Sequence, residues 1–195
     1  MTDDELRLAL KESRIATYYR LRGGFPIPLA GAVYWLALAY LGTIWQLGSW
    51  AMAAFYGSGL IFPMAVLFSK LFGVEFLKDK AAVGSALLPA FISMLLFWSF
   101  IPAAVSAAPE MIVLILAVGM SGHWPVIGWT YGRTALYSAH AVARAVLCGW
   151  LWHAFPDDRL VVIPLTVAAI YLATVLGILL DLFVLNRRGG RSVAA

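Results

Sequence analysis

Six apolar stretches dominate the chain, at 25–46, 50–72, 84–104, 109–131, 134–155 and 160–185. Each is near the ~20 residues that carry a helix across a ~30 Å hydrocarbon core. Only 12% of the 195 residues are charged, about half the share usual in soluble domains, and the mean hydropathy is +0.87. An isolated strand cannot satisfy its backbone in lipid, and no ~10-residue alternation marks a barrel. The expectation is an all-α polytopic membrane protein, a six-transmembrane-helix bundle with a short N-terminal interfacial helix.

The organisation expected is a cytoplasmic or interfacial helix over 1–24, a six-helix transmembrane domain over 25–185 and a basic tail over 186–195. Thr2 and Glu5 form a capping box, with Asp3 and Asp4 in the first turn of the leading helix. Its apolar spacing is irregular, so it reads as weakly amphipathic, or as a solvated tail that orients the protein. It lacks the apolar core and small-residue cleavage site of a signal peptide. Breaks are read at Gly48-Ser49, at 73–80, at 102–109, at Gly132-Arg133 and at 156–159. Twelve basic residues fall in the two tails and alternate loops, against Arg159 alone on the other side. The positive-inside rule then puts both termini in the cytoplasm of a cell-membrane protein. Charge placed by topology removes the argument for nucleic acid that a net +4 would otherwise raise.

Within the fifth stretch, Arg133, Tyr137, His140 and Arg144 share one helical face, at about 0°, 40°, −20° and 20°. Lipid gives such a stripe no role, so it should face protein, water or a ligand. By helical rise, His140 lies about 10 Å deep, Arg144 about 15 Å, His123 about 12 Å and Asp181 about 7 Å. Asp181 is the only carboxylate inside a span at a compatible depth, so it is expected to pair with Arg144 or His140. Two readings follow: an internal salt bridge that fixes packing, or a site whose Arg and His hold an anionic group with Asp181 as partner or proton relay.

Other chemistry is weaker. His123 and His140 sit on different helices without a His-x-x-x-His spacing, and a cation would lie beside Arg144, so neither metal nor cofactor is expected. Cys148 excludes an intramolecular disulfide and acts as a small apolar residue on the stripe. Trp124 and Trp129 read as an interfacial belt, or as walls of a pocket at the stripe's level. Proline interruptions such as Pro63, Pro125 and Pro164 read as kinks. The three-plus-three span count suits an inverted repeat, but the two halves lack clear similarity.

The segment 59–70 (GLIFPMAVLFSK), with His123-Trp124-Pro125 and Gly128-Trp129-Thr130-Tyr131-Gly132, resembles a bacterial family of small multi-pass membrane proteins of unknown function. The resemblance spans most of 25–185 and implies no activity, substrate or site. The function expected from the residues is a small transporter or ligand-binding membrane protein. Its site would face the cytoplasm, with Arg144, His140, Tyr137, His123, Asp181 and Arg133 around an anionic or polar ligand, a lipid headgroup among them. The alternatives are a membrane-embedded enzyme acting on a lipid headgroup with His140 as base, and a structural subunit without a site. Expected partners are membrane lipid and that anionic small molecule or headgroup, with no nucleic acid and homo-oligomerisation left open.

Overall fold

The computed structural model describes residues 1–192. The chain forms α1 (Asp3–Arg20), α2 (Pro26–Gly42), α3 (Leu47–Ser58), α4 (Ile61–Leu71), α5 (Leu87–Leu95), α6 (Phe100–Ala107), α7 (Met111–Gly119), α8 (Trp124–Thr130), α9 (Thr134–Ala154) and α10 (Arg159–Ser192). There is no strand among the described residues. Residues 193–195 of the expected basic tail lie outside the described residues. The tail's start continues α10 rather than leaving the helix near Asn186.

Four helical stretches are long and apolar enough to cross a membrane: Arg22–Gly42, Ala82–Ala107, Met111–Thr130 and Arg159–Arg187. A fifth forms if α3 and α4, bent by 49° at their break, are taken as one. By length and composition the chain is therefore an all-helical membrane protein. The remaining expected stretch, 134–155, forms α9. Its 21 residues suffice in length, but Arg144, His140 and their polar neighbours dilute its hydropathy.

Several boundaries differ from expectation. The turn expected at Gly48-Ser49 lies earlier, between α2 and α3, and α3 runs through both residues. The 50–72 stretch breaks at Gly59-Leu60, and the 109–131 stretch turns over 120–123 before α8. The Ala82–Ala107 stretch joins a 3-10 turn (Ala82–Ala86), α5, a second 3-10 turn (Leu96–Ser99) and α6. The expected capping box is present: the Thr2 hydroxyl accepts from Glu5 N–H at 3.3 Å, and Glu5 Oε2 accepts from Thr2 N–H at 2.7 Å.

α2 and α10 make the central contact. A Cβ on Gly31 would lie 2.6 Å from the Tyr171 ring, and one on Gly42 would lie 2.1 Å from the Leu160 carbonyl oxygen. Only glycine lets the two helices approach this closely. Trp35, Leu38, Ile163, Val167 and Ile178 fill the layer between α2, α9 and α10. α8 reaches α9 by the same device, since a Cβ on Gly128 would lie 2.7 Å from that of Tyr137.

Candidate functional site

α9 and α10 form an antiparallel hairpin through the loop 155–158, and its register decides which polar groups meet. Near the turn, Arg159 Nε donates to the Trp152 carbonyl at 2.9 Å. Further along, Arg144 Nη1 donates to the Tyr171 hydroxyl at 3.0 Å. His140 Nδ1 then lies 2.8 Å from Thr174 Oγ1, and Arg133 Nε lies 2.6 Å from Asp181 Oδ2. From the His140 level to the Arg133 level, both helices advance by the same two turns.

This register overturns the expected pairing of Asp181 with Arg144 or His140. Asp181 lies about 10 Å along the axis from Thr174, at the α1 end of the hairpin, and neutralises Arg133. Burial disfavours the Arg133 cation. The carboxylate more than offsets this, so the Arg133 pKa stands above its ordinary value.

Arg144 is wholly buried. Its guanidinium lies 5.4 Å from the ring centroid of Trp35 and 5.2 Å from that of Tyr171. Nη1 serves the Tyr171 hydroxyl and points towards His140 Nε2 at 3.5 Å. Nε and Nη2 have no hydrogen-bond partner in the protein. These two nitrogens make up one edge of the planar guanidinium, the fork that matches a carboxylate or phosphate. No carboxylate contacts it: the salt bridges among the described residues are Arg20–Asp79, Lys78–Glu75 and Arg133–Asp181.

The hydrogen bonds assign the His140 tautomer. The Thr174 hydroxyl donates to the Ile170 carbonyl at 2.8 Å. Its oxygen therefore accepts from His140 Nδ1–H, and the lone pair on Nε2 faces Arg144. His140 thus meets Arg144 as a neutral acceptor, with both ring nitrogens engaged.

Trp124 joins these groups. It was expected first as part of an interfacial belt, but it is wholly buried. The close approach of α8 at Gly128 stacks its ring on Tyr137, at 5.8 Å and 22°. The His140 ring is 4.4 Å from the Trp124 ring and the His123 ring 5.6 Å, so the two histidines flank one indole. His123 Nδ1, Trp124 Nε1 and Trp35 Nε1 have no protein hydrogen-bond partner.

The other end of the stripe is closed by α1 and the turn that follows it. Tyr137 donates its hydroxyl to the Gly23 carbonyl. Gly23 has φ +63, and a Cβ there would lie 2.4 Å from Ile178 Cγ2 and 2.8 Å from the Tyr18 ring. Arg133 lies over the buried Tyr18 ring at 5.0 Å, and Arg14 donates to the Trp129 carbonyl while stacking on its indole at 4.7 Å. The four stripe residues thus keep the single face expected of them but serve two places. Arg144 and His140 join His123 in the core. Arg133 joins Asp181 beneath α1, and Tyr137 lies between. No group of three His, Cys, Asp or Glu side chains able to hold a metal ion occurs among the described residues.

A family profile described as a family of unknown function, DUF7010, matches residues 10–181. The chain belongs to this family. The match takes in α2 to α9 whole and ends at Asp181, so the buried cluster and its α1 closure lie inside the region that defines DUF7010 members. The resemblance read from residues 59–70 and 123–132 agrees with it. Nothing among curated proteins or solved structures matches the chain significantly.

Three contributors were not read from the sequence as part of the site. Tyr171 stands on the Thr174 side of α10, and its hydroxyl at mid-span was the available signal. Trp35 left none, because α2 is apolar on every face and no stripe marks the side that meets α9. Gly23 was legible only as a possible turn.

Proposed function

We propose that this DUF7010 protein binds an anionic ligand at Arg144 inside the membrane, as a small transporter or ligand-binding protein of the cell membrane. One observation carries the reading: a wholly buried guanidinium with no carboxylate partner and one full edge of donors unused. An arginine near the bilayer centre costs about 2.5–3.5 kcal/mol by insertion scales, and buried donors left unmade add to that. An anion on the free edge offsets both.

In this reading α9 is the sixth span, since 21 residues rise about 31 Å. Both termini lie in the cytoplasm, as the distribution of basic residues requires. α1 lies at the inner interface, with exposed Leu6 and Leu8 and its basic residues towards lipid headgroups. The ligand enters from that side once the Tyr137–Gly23 and Arg133–Asp181 contacts part. With both nitrogens of His140 engaged, the geometry supports binding over general-base catalysis.

Native mass spectrometry of protein purified in mild detergent tests this. The expected result is an anionic lipid or small molecule bound to the wild type and absent from Arg144→Gln. A wild-type protein without any bound species, or an adduct that Arg144→Gln keeps, contradicts the reading.

A further inference from the structure

Taking Arg144 as an anion site, the geometry narrows the anion: we propose that it is a singly charged oxyanion offering two oxygens from one centre, a carboxylate or a phosphodiester, held edge-on by Nε and Nη2. Three observations converge on this class.

The first is the division of labour within the guanidinium. Nη1 is committed to Tyr171 and His140, while Nε and Nη2 together are free. Two parallel donors on one edge match two acceptor oxygens on one carbon or phosphorus. A halide, or an anion with a single acceptor, would use one donor and leave the other buried and unmade.

The second is charge. Trp35 and Tyr171 lie against the guanidinium and carry no charge, His140 is the neutral Nδ1–H tautomer, and His123, buried with no acidic partner among the described residues, is likewise neutral. The nearest ion pair, Arg133–Asp181, is internally balanced. The cluster therefore holds a single positive charge. A monoanion neutralises it. A dianion would leave a net negative charge among aromatic walls, at a desolvation cost that nothing in the cluster repays.

The third is the wall itself. The guanidinium lies against the rings of Trp35 and Tyr171, which meet the cation without neutralising it and leave the charge on the free edge for the oxyanion. The two indole N–H groups without protein partners add donors but no charge.

The test uses full-length wild-type protein delipidated into a non-ionic maltoside detergent, which carries neither phosphate nor carboxylate. Benzoate stands for a soluble monocarboxylate, and phosphatidylglycerol added to the micelle stands for a lipid phosphodiester. Sulfate and succinate are the dianion arms. The expected result is a saturable rise in Tm with benzoate or with phosphatidylglycerol, and none with sulfate or succinate. A response to benzoate identifies a soluble source and a response to phosphatidylglycerol alone identifies lipid; either supports the class.

Arg144→Lys keeps the charge and loses the fork, so it should weaken the response about tenfold, the worth of one charge-assisted hydrogen bond. Should that variant not fold, the Nε–H resonance of the buried arginine in 15N-labelled wild type provides the second readout, moving downfield as the probe is added. Equal stabilisation by sulfate and benzoate through Arg144 overturns the monoanion class and leaves the anion site standing. An Arg144→Lys response equal to wild type, an arginine resonance unmoved at saturating probe, or no response to any probe overturns the proposal. An anion of another class that co-purifies with the wild type and not with Arg144→Gln would separate that failure from failure of the anion site.

Discussion

Arg144 and Tyr171 are joined at 3.0 Å, guanidinium Nη1 to phenol oxygen, and the Tyr171 ring rests on Gly31. One contact thus ties α9, α10 and α2 at the level of the buried charge. Tyr171→Phe should lower stability by about 1.5–3 kcal/mol, the range for a hydrogen bond to a charged group. Gly31→Ala should cost about 1–3 kcal/mol by overpacking, because its Cβ would strike the same ring. Thermal unfolding in detergent reads both. An unchanged Tm in Tyr171→Phe would mean that Arg144 is held elsewhere.

The Arg133–Asp181 pair is partly exposed, with side-chain exposures of 23% and 31%. A double-mutant cycle between Arg133→Ala and Asp181→Ala should return a coupling of about 0.2–1 kcal/mol. Arg144→Ala and Asp181→Ala should be additive within about 0.5 kcal/mol, since they share no partner. Arg144→Ala should also be more disruptive than Arg159→Ala, whose side chain covers the Trp152 ring at 3.9 Å and caps the Trp152 carbonyl. A larger coupling of Asp181 to Arg144 than to Arg133 would contradict the hairpin register.

Tyr18 supplies a pH signature. Burial, and then the nearby Asp181 carboxylate, push its phenol pKa upward from the ordinary value near 10. A group whose folded pKa is raised contributes stability that is complete below its unfolded pKa and is lost as pH climbs towards the folded value. Tm should therefore hold up to about pH 10 and fall above it, with a shallower fall in Tyr18→Phe. Identical alkaline branches in the two proteins would show that Tyr18 is not the group concerned.

Closure by α1 predicts a pattern of accessibility. With Cys148 replaced by Ala, Tyr137→Cys should react slowly with a water-soluble thiol reagent, because the position is covered by the turn at Gly23. Adding Gly23→Ala, which strains a φ of +63, should destabilise that turn by about 1 kcal/mol or more and speed the reaction at least about fivefold. Val142→Cys, on the exposed opposite face of α9, should stay inert because lipid covers it. Fast labelling of Val142→Cys would remove α9 from the membrane.

What could be read from the sequence was what depends on local spacing. The Thr2–Glu5 capping box needs three residues, and the Arg133–Arg144 stripe needs one helix and its period. The expected partner of Asp181 fails because depth is counted there from assumed span ends, whereas the register puts Asp181 level with Arg133, just before α9 begins. The short loop 155–158 held better information, since a tight antiparallel turn fixes register by counting outward from it. The break at Gly59-Leu60 and the role of Trp35 are tertiary facts. A bend within an apolar run, and the chosen face of a helix apolar all round, leave no periodicity to read.

The most direct measurement is an experimental density map at Arg144, from protein purified and crystallised with its native lipids. Density for a bound oxyanion is expected within hydrogen-bond reach of both Nε and Nη2, with Nη1 on Tyr171. A map in which a protein carboxylate or carbonyl occupies that edge, or in which the guanidinium points out to lipid, would contradict the anion site.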